Sequence, residues 1–149
     1  MGEAVGGTMP TMSDTIFSKI IRGETPCHRV YQDEWVLAFL DINPVSRGHT
    51  LLVTKEPAAT MGELSDPAAA GLGRALPRVC RAVVKATGAA AYNLVVNNGA
   101  ASGQEVPHVH VHIIPRHADG SEGFGVKWNP RKLDAEHGAD LARQIARLL

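Results

Sequence analysis

The chain has 149 residues, a length that suits one domain with a substantial hydrophobic core. Its 15 basic and 15 acidic residues cancel, so the sequence lacks the broad positive charge of a nucleic-acid-binding protein. Two cysteines, Cys27 and Cys80, form neither a CxxC motif nor a disulfide framework. We therefore expect a cytoplasmic protein in which both thiols have structural roles.

The N-terminal residues 1–13 have neither a basic start nor an apolar run, and they are predicted to form a flexible arm. A single domain is expected over residues 14–149. The longest uncharged stretch, residues 87–104, contains three asparagines, which disfavour a membrane span. The sequence therefore predicts no contact with a membrane.

The first half of the domain is predicted to contain a short helix followed by three strands. Apolar residues at 16, 17, 20 and 21 repeat with helical spacing, and Gly23 ends this helix. Residues 28–32 and 35–40 are predicted strands on either side of a polar turn, and residues 50–54 form a third, buried strand.

A long helix follows. Asp66 is its predicted N-cap, Pro67 its first position and Gly88 its end. Pro77 predicts a kink or a break, because proline removes a helical hydrogen bond and crowds the preceding turn. One apolar stripe, which suits either the sheet or a partner molecule, is formed by Leu72, Leu76, Val79 and Val83.

The second half is predicted to contain two antiparallel neighbouring strands, residues 92–97 and 108–114, and a closing helix over residues 133–149. Pro107 and Pro115 bracket the second strand, where proline costs no central ladder bond. The order of elements predicts an α+β domain: an antiparallel sheet of about five strands, one long helix, a short N-terminal helix and a C-terminal helix.

Three histidines occupy alternate positions of the strand at residues 108–114. Alternate side chains of a strand point to opposite faces, so His108, His110 and His112 share one face. Neighbours in this row stand about 7 Å apart, so all three cannot reach one metal ion on a straight strand. A metal site would need a ligand from elsewhere. Catalysis would instead use one imidazole as nucleophile or base and the others as donors to an anionic substrate.

The sequence resembles the histidine triad (HIT) family of nucleotide hydrolases and transferases, in particular bacterial members similar to purine nucleoside phosphoramidases. The family pattern, in which histidines alternate with apolar residues, matches residues 108–114 at every position. Residues 15–26, 38–53 and 93–99 also match, in the family's order. The resemblance implies a HIT-like fold and hydrolysis at the α-phosphorus of a nucleotide through a nucleotidyl-histidine, with no cofactor.

The resemblance also implies roles for the histidines. His110 would be the nucleophile, and the backbone carbonyl of His108 would orient it. His112 would donate a hydrogen bond to a phosphate oxygen. His49 matches a fourth family histidine that supports the triad through a hydrogen bond. For His108, an ordinary buried and hydrogen-bonded histidine is an equal alternative.

Other matched positions are implied to bind the rest of the nucleotide. Asn97, Gly103 and Gln104 would hold the phosphate. Asp41 would bind the ribose hydroxyls, for which a carboxylate offers two acceptor oxygens. The residues implied to form an apolar slot for the base are Ile16, Phe17, Ile20, Phe39 and Ile42. Without the resemblance, these residues would be assigned to the hydrophobic core.

Three departures from the family pattern affect these implications. Thr15 and Ser18 stand where many bacterial relatives have a zinc-binding Cys-x-x-Cys, so we expect no bound metal there. Glu105 replaces a serine that helps to protonate the leaving amine in the phosphoramidase branch, which makes it a candidate leaving-group acid. Trp128 cannot be aligned with the tryptophan that this branch supplies from a partner subunit.

A small purine nucleotide of the AMP or GMP type is the expected ligand, and a homodimer the expected assembly. Phosphoramidase activity is preferred, whereas residues 104–108 and 114–116 resemble the dinucleoside polyphosphate hydrolases. Two further classes stay open. One is a metal-dependent protein that uses His108 and His110, and the other is a nucleotide-binding module with little turnover.

Overall fold

The computed structural model describes residues 14–149, so the predicted arm at residues 1–13 lies outside the described residues. The described chain forms one antiparallel sheet with the strand order β1-β2-β3-β5-β4. Its strands are β1 Arg29–Gln32, β2 Val36–Leu40, β3 Thr50–Thr54, β4 Ala91–Val95 and β5 His110–Arg116. The α-helices are α1 Ile16–Ile21, α2 Asp66–Thr87 and α3 Ala135–Arg147. The predicted α+β architecture is confirmed.

Helix α1 begins with a reciprocal cap. The Ser18 N–H donates to Thr15 Oγ1, and the Thr15 N–H donates to Ser18 Oγ, both at 3.2 Å. This capping box satisfies two amides that the first turn of a helix otherwise leaves without partners. The hydroxyls at the positions of the family's zinc-binding cysteines therefore hold the start of α1.

The register of the central strands determines which face carries the histidines. Val53 pairs with His110, and Leu51 pairs with His112. Directly opposed residues on paired strands point to the same face. Val53 and Leu51 pack in a cluster with Phe17 of α1, so His110 and His112 share the face that α1 covers.

Helix α2 covers the opposite face of the sheet, where it packs on β2, β3 and β5. Three members of the predicted stripe are buried there, and Leu76 is partly buried. The stripe therefore belongs to the core of its own chain. Gly71 lies directly against Trp35, and a Cβ atom at this glycine would approach the Trp35 side chain to 2.5 Å.

The ends of α2 differ in how well they were predicted. Gly88 ends the helix in the left-handed conformation, with φ +70°. The N-cap is Ser65, whose Oγ accepts from the Ala68 N–H, and the predicted cap Asp66 is the first helical residue. No break occurs at Pro77, because this proline is exposed and the carbonyl that loses its partner belongs to exposed Gly73, where water reaches it.

Strand β5 is shifted relative to the prediction. It begins at His110, so His108 precedes the ladder, and it includes Pro115. β3 pairs with β5 only as far as Ile113. Within the described residues, Pro115 therefore has no partner strand on its β3 side, where its missing N–H would otherwise cost a hydrogen bond. β4 ends at Val95, so the predicted strand end at Asn97 lies in the following loop.

Helix α3 packs weakly on the rest of the chain. The Asp134 carboxylate caps it by accepting from the His137 N–H at 2.9 Å. None of its residues is buried, and Leu141 and Ile145 are exposed. Over residues 14–149, no helix is long and apolar enough to cross a bilayer.

Candidate active site

An open cavity of about 440 Å³ lies beside the histidine face. His110 and His112 line it, together with Glu105. Two of the residues predicted to bind phosphate, Asn97 and Gly103, also line it. All six residues predicted to bind the nucleoside belong to the wall, namely Ile16, Phe17, Ile20, Phe39, Asp41 and Ile42.

The wall also contains residues that sequence reasoning missed. Thr25, Pro26 and Cys27 follow α1 and contribute a short irregular segment. Periodicity carries no information about such a segment. The family match over residues 15–26 includes Thr25 and Pro26, but it implied no role for them. By contrast, the alternation along β3 places Leu51 on the histidine face. The remaining unassigned lining residues are Leu40, Asn43 and Val106.

The backbone of His108 determines the protonation of His110. His110 Nδ1 lies 2.7 Å from the His108 carbonyl oxygen. A carbonyl only accepts hydrogen bonds, so Nδ1 carries the proton and Nε2 keeps its lone pair. The Phe17 ring packs edge-on against the His110 ring, with centroids 4.8 Å apart, and restricts its rotation. His110 therefore offers Nε2 to the cavity as a nucleophile or base.

A second chain of hydrogen bonds determines the protonation of His112. The Val45 N–H donates to His49 Nδ1 at 3.1 Å, so the proton of neutral His49 is on Nε2. His49 Nε2 lies 2.9 Å from His112 Nδ1 and donates to it. His112 consequently carries its own proton on Nε2. This chain, Val45–His49–His112, turns His112 into a hydrogen-bond donor.

Burial keeps these imidazoles neutral. Desolvation lowers the pKa of His49, His108 and His110 below the usual value for histidine. Desolvation, with smaller effects from His110 and His49, lowers the pKa of His112 to about 4. At neutral pH the site therefore contains a neutral nucleophile candidate next to a neutral donor.

His108 itself does not line the cavity. Its Nε2 donates to the Thr54 carbonyl at 2.6 Å, and its Nδ1 is buried with no partner among the described residues. The side chain is thus a buried, hydrogen-bonded histidine, as in the alternative interpretation. Only its backbone carbonyl reaches His110.

Gln104 supports the loop between β4 and β5. Its Oε1 accepts from the Gly99 N–H, and its Nε2 donates to the Ala59 carbonyl, both at 2.7 Å. Gln104 was predicted to bind the phosphate, but its side chain instead holds the loop together and does not line the cavity. Gly103 does line the cavity, and its φ of +100° favours glycine at this position.

Asp41 lies in the cavity wall close to His49. Its Oδ1 accepts from the Asn43 N–H at 2.8 Å, and its Oδ2 lies 3.6 Å from His49 Nε2. Beside it, Ile42 is 79% exposed at the cavity wall, which is unusual for a large apolar side chain. A flat apolar ligand in the cavity would cover this residue.

The described residues bring three potential metal ligands together: Asp41, His49 and His112, whose ligand atoms lie within 4.8 Å of one another. His49 and His112 already use the facing nitrogens in the hydrogen bond between them. The pair considered from the sequence, His108 and His110, uses one nitrogen each on backbone carbonyls. That the reaction needs no metal ion stays a prediction.

The charges around the cavity are of one sign. Asp41 and Glu105 line it, and no lysine or arginine among residues 14–149 does so. Glu105 is exposed, and no side-chain hydrogen bond or ion pair within that range involves it. Trp128 is exposed and lies outside the cavity lining of its own chain.

Comparison with known proteins shows the family to which the chain belongs. The family model of the HIT domain matches residues 22–119, and the chain belongs to the histidine triad family. It is 43% identical over 131 residues to adenosine 5'-monophosphoramidase hnt1 of Schizosaccharomyces pombe, covering 88% of this chain and 95% of that protein. It is 47% identical over 104 residues to adenylylsulfatase HINT3 of Arabidopsis thaliana, covering 70% of this chain and 53% of that protein.

The fold is shared as well. A solved HIT family protein from Bacillus anthracis superposes with a TM-score of 0.88 at 36% identity, over 93% of this chain and 99% of that one. The HIT-like fold expected from the sequence is thereby confirmed.

Proposed function

We propose that this protein hydrolyses nucleoside phosphoramidates at the α-phosphorus through a nucleotidyl-His110 intermediate and releases a nucleoside monophosphate. The chain is a hydrolase, and family membership together with the names of its relatives supports action on nucleotides. The observation that carries the finer proposal is the bond from His110 Nδ1 to the His108 carbonyl, which leaves Nε2 free to attack.

In the first step, the Nε2 lone pair of His110 forms a bond to phosphorus and the phosphorus–nitrogen bond of the substrate breaks. The amine leaves with that electron pair and takes up one proton from the solvent, which regains a proton when the attacking water is deprotonated in the second step. His110 becomes positively charged, and its Nδ1–H remains bonded to the His108 carbonyl, which stabilises the charge. In the second step, water attacks phosphorus, loses one proton and returns the electron pair to Nε2.

Neutral donors stabilise the charge that grows on the phosphoryl oxygens. His112 Nε2–H is held ready by the chain Val45–His49–His112. Asn97 and Gly103 contribute from the loop that Gln104 holds in place. Donors that are oriented in advance need no reorganisation during the reaction, which is the main source of such catalysis.

The nucleoside is proposed to lie against the apolar wall. A purine ring would cover Ile42 and contact Phe39 and the α1 residues, which supports a ligand of the AMP or GMP type. Asp41 Oδ2 would accept from the ribose hydroxyls. Such a wall binds the ring by shape and does not distinguish adenine from guanine.

We further propose a homodimer in which β4 of one chain contacts β4 of the other. β4 is a sheet edge, and its Tyr92 and Leu94 are each 44% exposed. The weakly packed helix α3 also presents an apolar face that a second chain would cover. The expected location in the cytoplasm and the single domain over residues 14–149 stay predictions.

The test is AMP release from adenosine 5'-phosphoramidate and from diadenosine polyphosphates, in buffer that contains a chelator. Wild-type protein is expected to prefer the phosphoramidate, and His110→Ala to lose turnover on both. Mass spectrometry after rapid denaturation at alkaline pH, where the phosphorus–nitrogen bond of a nucleotidyl-histidine persists, should detect a nucleotidyl group on the wild type and none on the variant.

Three results would contradict the proposal. Turnover by His110→Ala equal to wild type would exclude the nucleophile. Activity that chelation abolishes would favour a metal-dependent reaction. Tight AMP binding without any turnover would support the nucleotide-binding module.

A further inference from the structure

Among residues 14–149, no positively charged side chain lines the proposed phosphate-binding cavity. Asp41 and Glu105 are the charged residues of its wall within residues 14–149, and its histidines are neutral at neutral pH. Phosphate sites often use arginine or lysine. Each additional negative charge on a substrate therefore meets repulsion here with no cation to offset it.

The two carboxylates differ in their surroundings. Asp41 is half-buried, accepts from the Asn43 N–H and lies near His49, so its charge is shared with neighbouring donors. Glu105 is exposed, and none of the described side chains bonds to it. An exposed carboxylate is negatively charged near neutral pH. Glu105 thus contributes the unpaired charge of the cavity.

Glu105 follows closely on a residue that is proposed to bind the phosphate. It lies two residues after Gly103, and both residues line the cavity together with His110 and His112. The apolar residues proposed to hold the base lie on α1 and at the end of β2. With the base on that wall and the phosphorus at His110, the part of the substrate nearest Glu105 is the phosphate and the group attached to it.

We propose that Glu105 is a specificity-determining residue that selects substrates by the charge of the leaving group. It favours amines that carry an additional ammonium group and disfavours leaving groups that carry a carboxylate, sulfate or phosphate. This inference rests on the proposed function and narrows its substrate class to cationic nucleoside phosphoramidates.

The experiment compares three AMP phosphoramidates whose amines have similar lengths and different ends. They are made from 1,3-diaminopropane, butylamine and 3-aminopropanoate, and end in an ammonium, a methyl group and a carboxylate. Wild-type kcat/KM is expected to fall in that order. In Glu105→Gln, the ratio of the ammonium substrate to the carboxylate substrate should shrink by about threefold to tenfold, as a partly screened charge predicts.

Two further variants sharpen the comparison. Glu34→Gln removes an exposed carboxylate outside the cavity lining and should keep the wild-type ratio. Glu105→Lys should reverse the order of the charged substrates, and it provides an independent measurement where the glutamine variant folds poorly. Raising the salt concentration should reduce the wild-type ratio towards that of Glu105→Gln, because ions screen exposed charges.

The outcomes separate this inference from the proposed function. If the wild type hydrolyses none of the three compounds, the proposed function is wrong. If it hydrolyses them but Glu105→Gln keeps the wild-type ratio, charge selection by Glu105 is excluded and the proposed function stands. A variant that slows all three reactions equally would indicate a leaving-group acid, and that result also overturns the inference.

Discussion

At the residue scale, the site depends on which nitrogen of each imidazole carries the proton. The His108 carbonyl places the proton of His110 on Nδ1, and the Val45 amide places the proton of His112 on Nε2 through His49. Two similar rings thereby acquire opposite chemical characters. One keeps a free lone pair on Nε2, and the other carries an N–H on Nε2.

His49→Ala tests the second of these chains. Without His49, His112 Nδ1 loses its donor and the ring can rotate or change tautomer, so kcat should fall by about tenfold to a hundredfold. The nucleotidyl group should still form on His110, although more slowly, in rapid-quench mass spectrometry. His117→Ala removes a half-buried histidine outside the cavity lining and should retain wild-type kcat. An unchanged kcat in His49→Ala would exclude the chain as the source of orientation.

The lowered histidine pKa values also predict how stability depends on pH. In the unfolded chain each histidine has its ordinary pKa near 6.5, whereas the pKa of folded His112 is about 4. Below pH 6.5 the unfolded chain therefore binds protons that the folded chain does not bind, and this favours unfolding. The free energy of unfolding in urea should be constant above pH 6.5 and fall as the pH drops from there towards about 4.

His112→Gln provides the control for this pH dependence. The variant lacks one of the histidines whose pKa is lowered in the folded chain, so its free energy of unfolding should fall less steeply over the same range. Identical slopes for variant and wild type would contradict the assignment of His112 as a group that is neutral when folded.

At the element scale, helix α2 shows how a glycine's surroundings decide the effect of substituting it. Gly71 and Gly73 lie in the same helix, two residues apart. Gly71 is buried against Trp35, whereas a Cβ atom at Gly73 would meet no atom within 4 Å. The same substitution should therefore have opposite effects at the two positions.

Gly73→Ala is expected to stabilise the protein by about 0.5–1 kcal/mol, because alanine restricts the unfolded chain and favours the helix. Gly71→Ala should destabilise it by about 1–3 kcal/mol, since the added methyl group overlaps Trp35 and forces the helix away from the sheet. Thermal and urea unfolding of both variants measure the difference. Equal effects of the two substitutions would contradict the close packing of α2 on Trp35.

The elements were predictable to different degrees. Residues 50–54 form a short run with three consecutive apolar side chains between two threonines, which is typical of a buried strand, and β3 has the predicted bounds. Ser65 and Asp66 are both good N-caps, so sequence preference does not choose between them. The cavity wall at residues 25–27 and the bond between His49 and His112, 63 residues apart, arise from tertiary packing, about which local patterns say nothing.

At the scale of the whole molecule, the two edges of the sheet have different expected roles. β1 and β4 are both edge strands, and each exposes an apolar side chain, Val30 on β1 and Leu94 on β4. The homodimer proposal assigns only β4 to the interface. The two edges therefore form a matched pair for testing the assembly.

Leu94→Lys should convert the dimer into monomers, because a charged side chain at a sheet edge opposes pairing with another strand. Val30→Lys introduces the same charge on the other edge and should leave the dimer intact. Sedimentation velocity distinguishes a particle of twice the chain mass from a monomer. A wild-type monomer, or dissociation by Val30→Lys alone, would contradict the proposed interface.

Insertions and deletions would affect this site according to whether their length is odd or even. His110 and His112 face the cavity because they oppose Val53 and Leu51 across β3. One residue added between the two histidines would turn one of them towards α2, whereas two residues would preserve the face. Evolution and protein engineering can therefore lengthen the loop before β5 more freely than the strand itself, where only changes of even length keep both histidines on the cavity side.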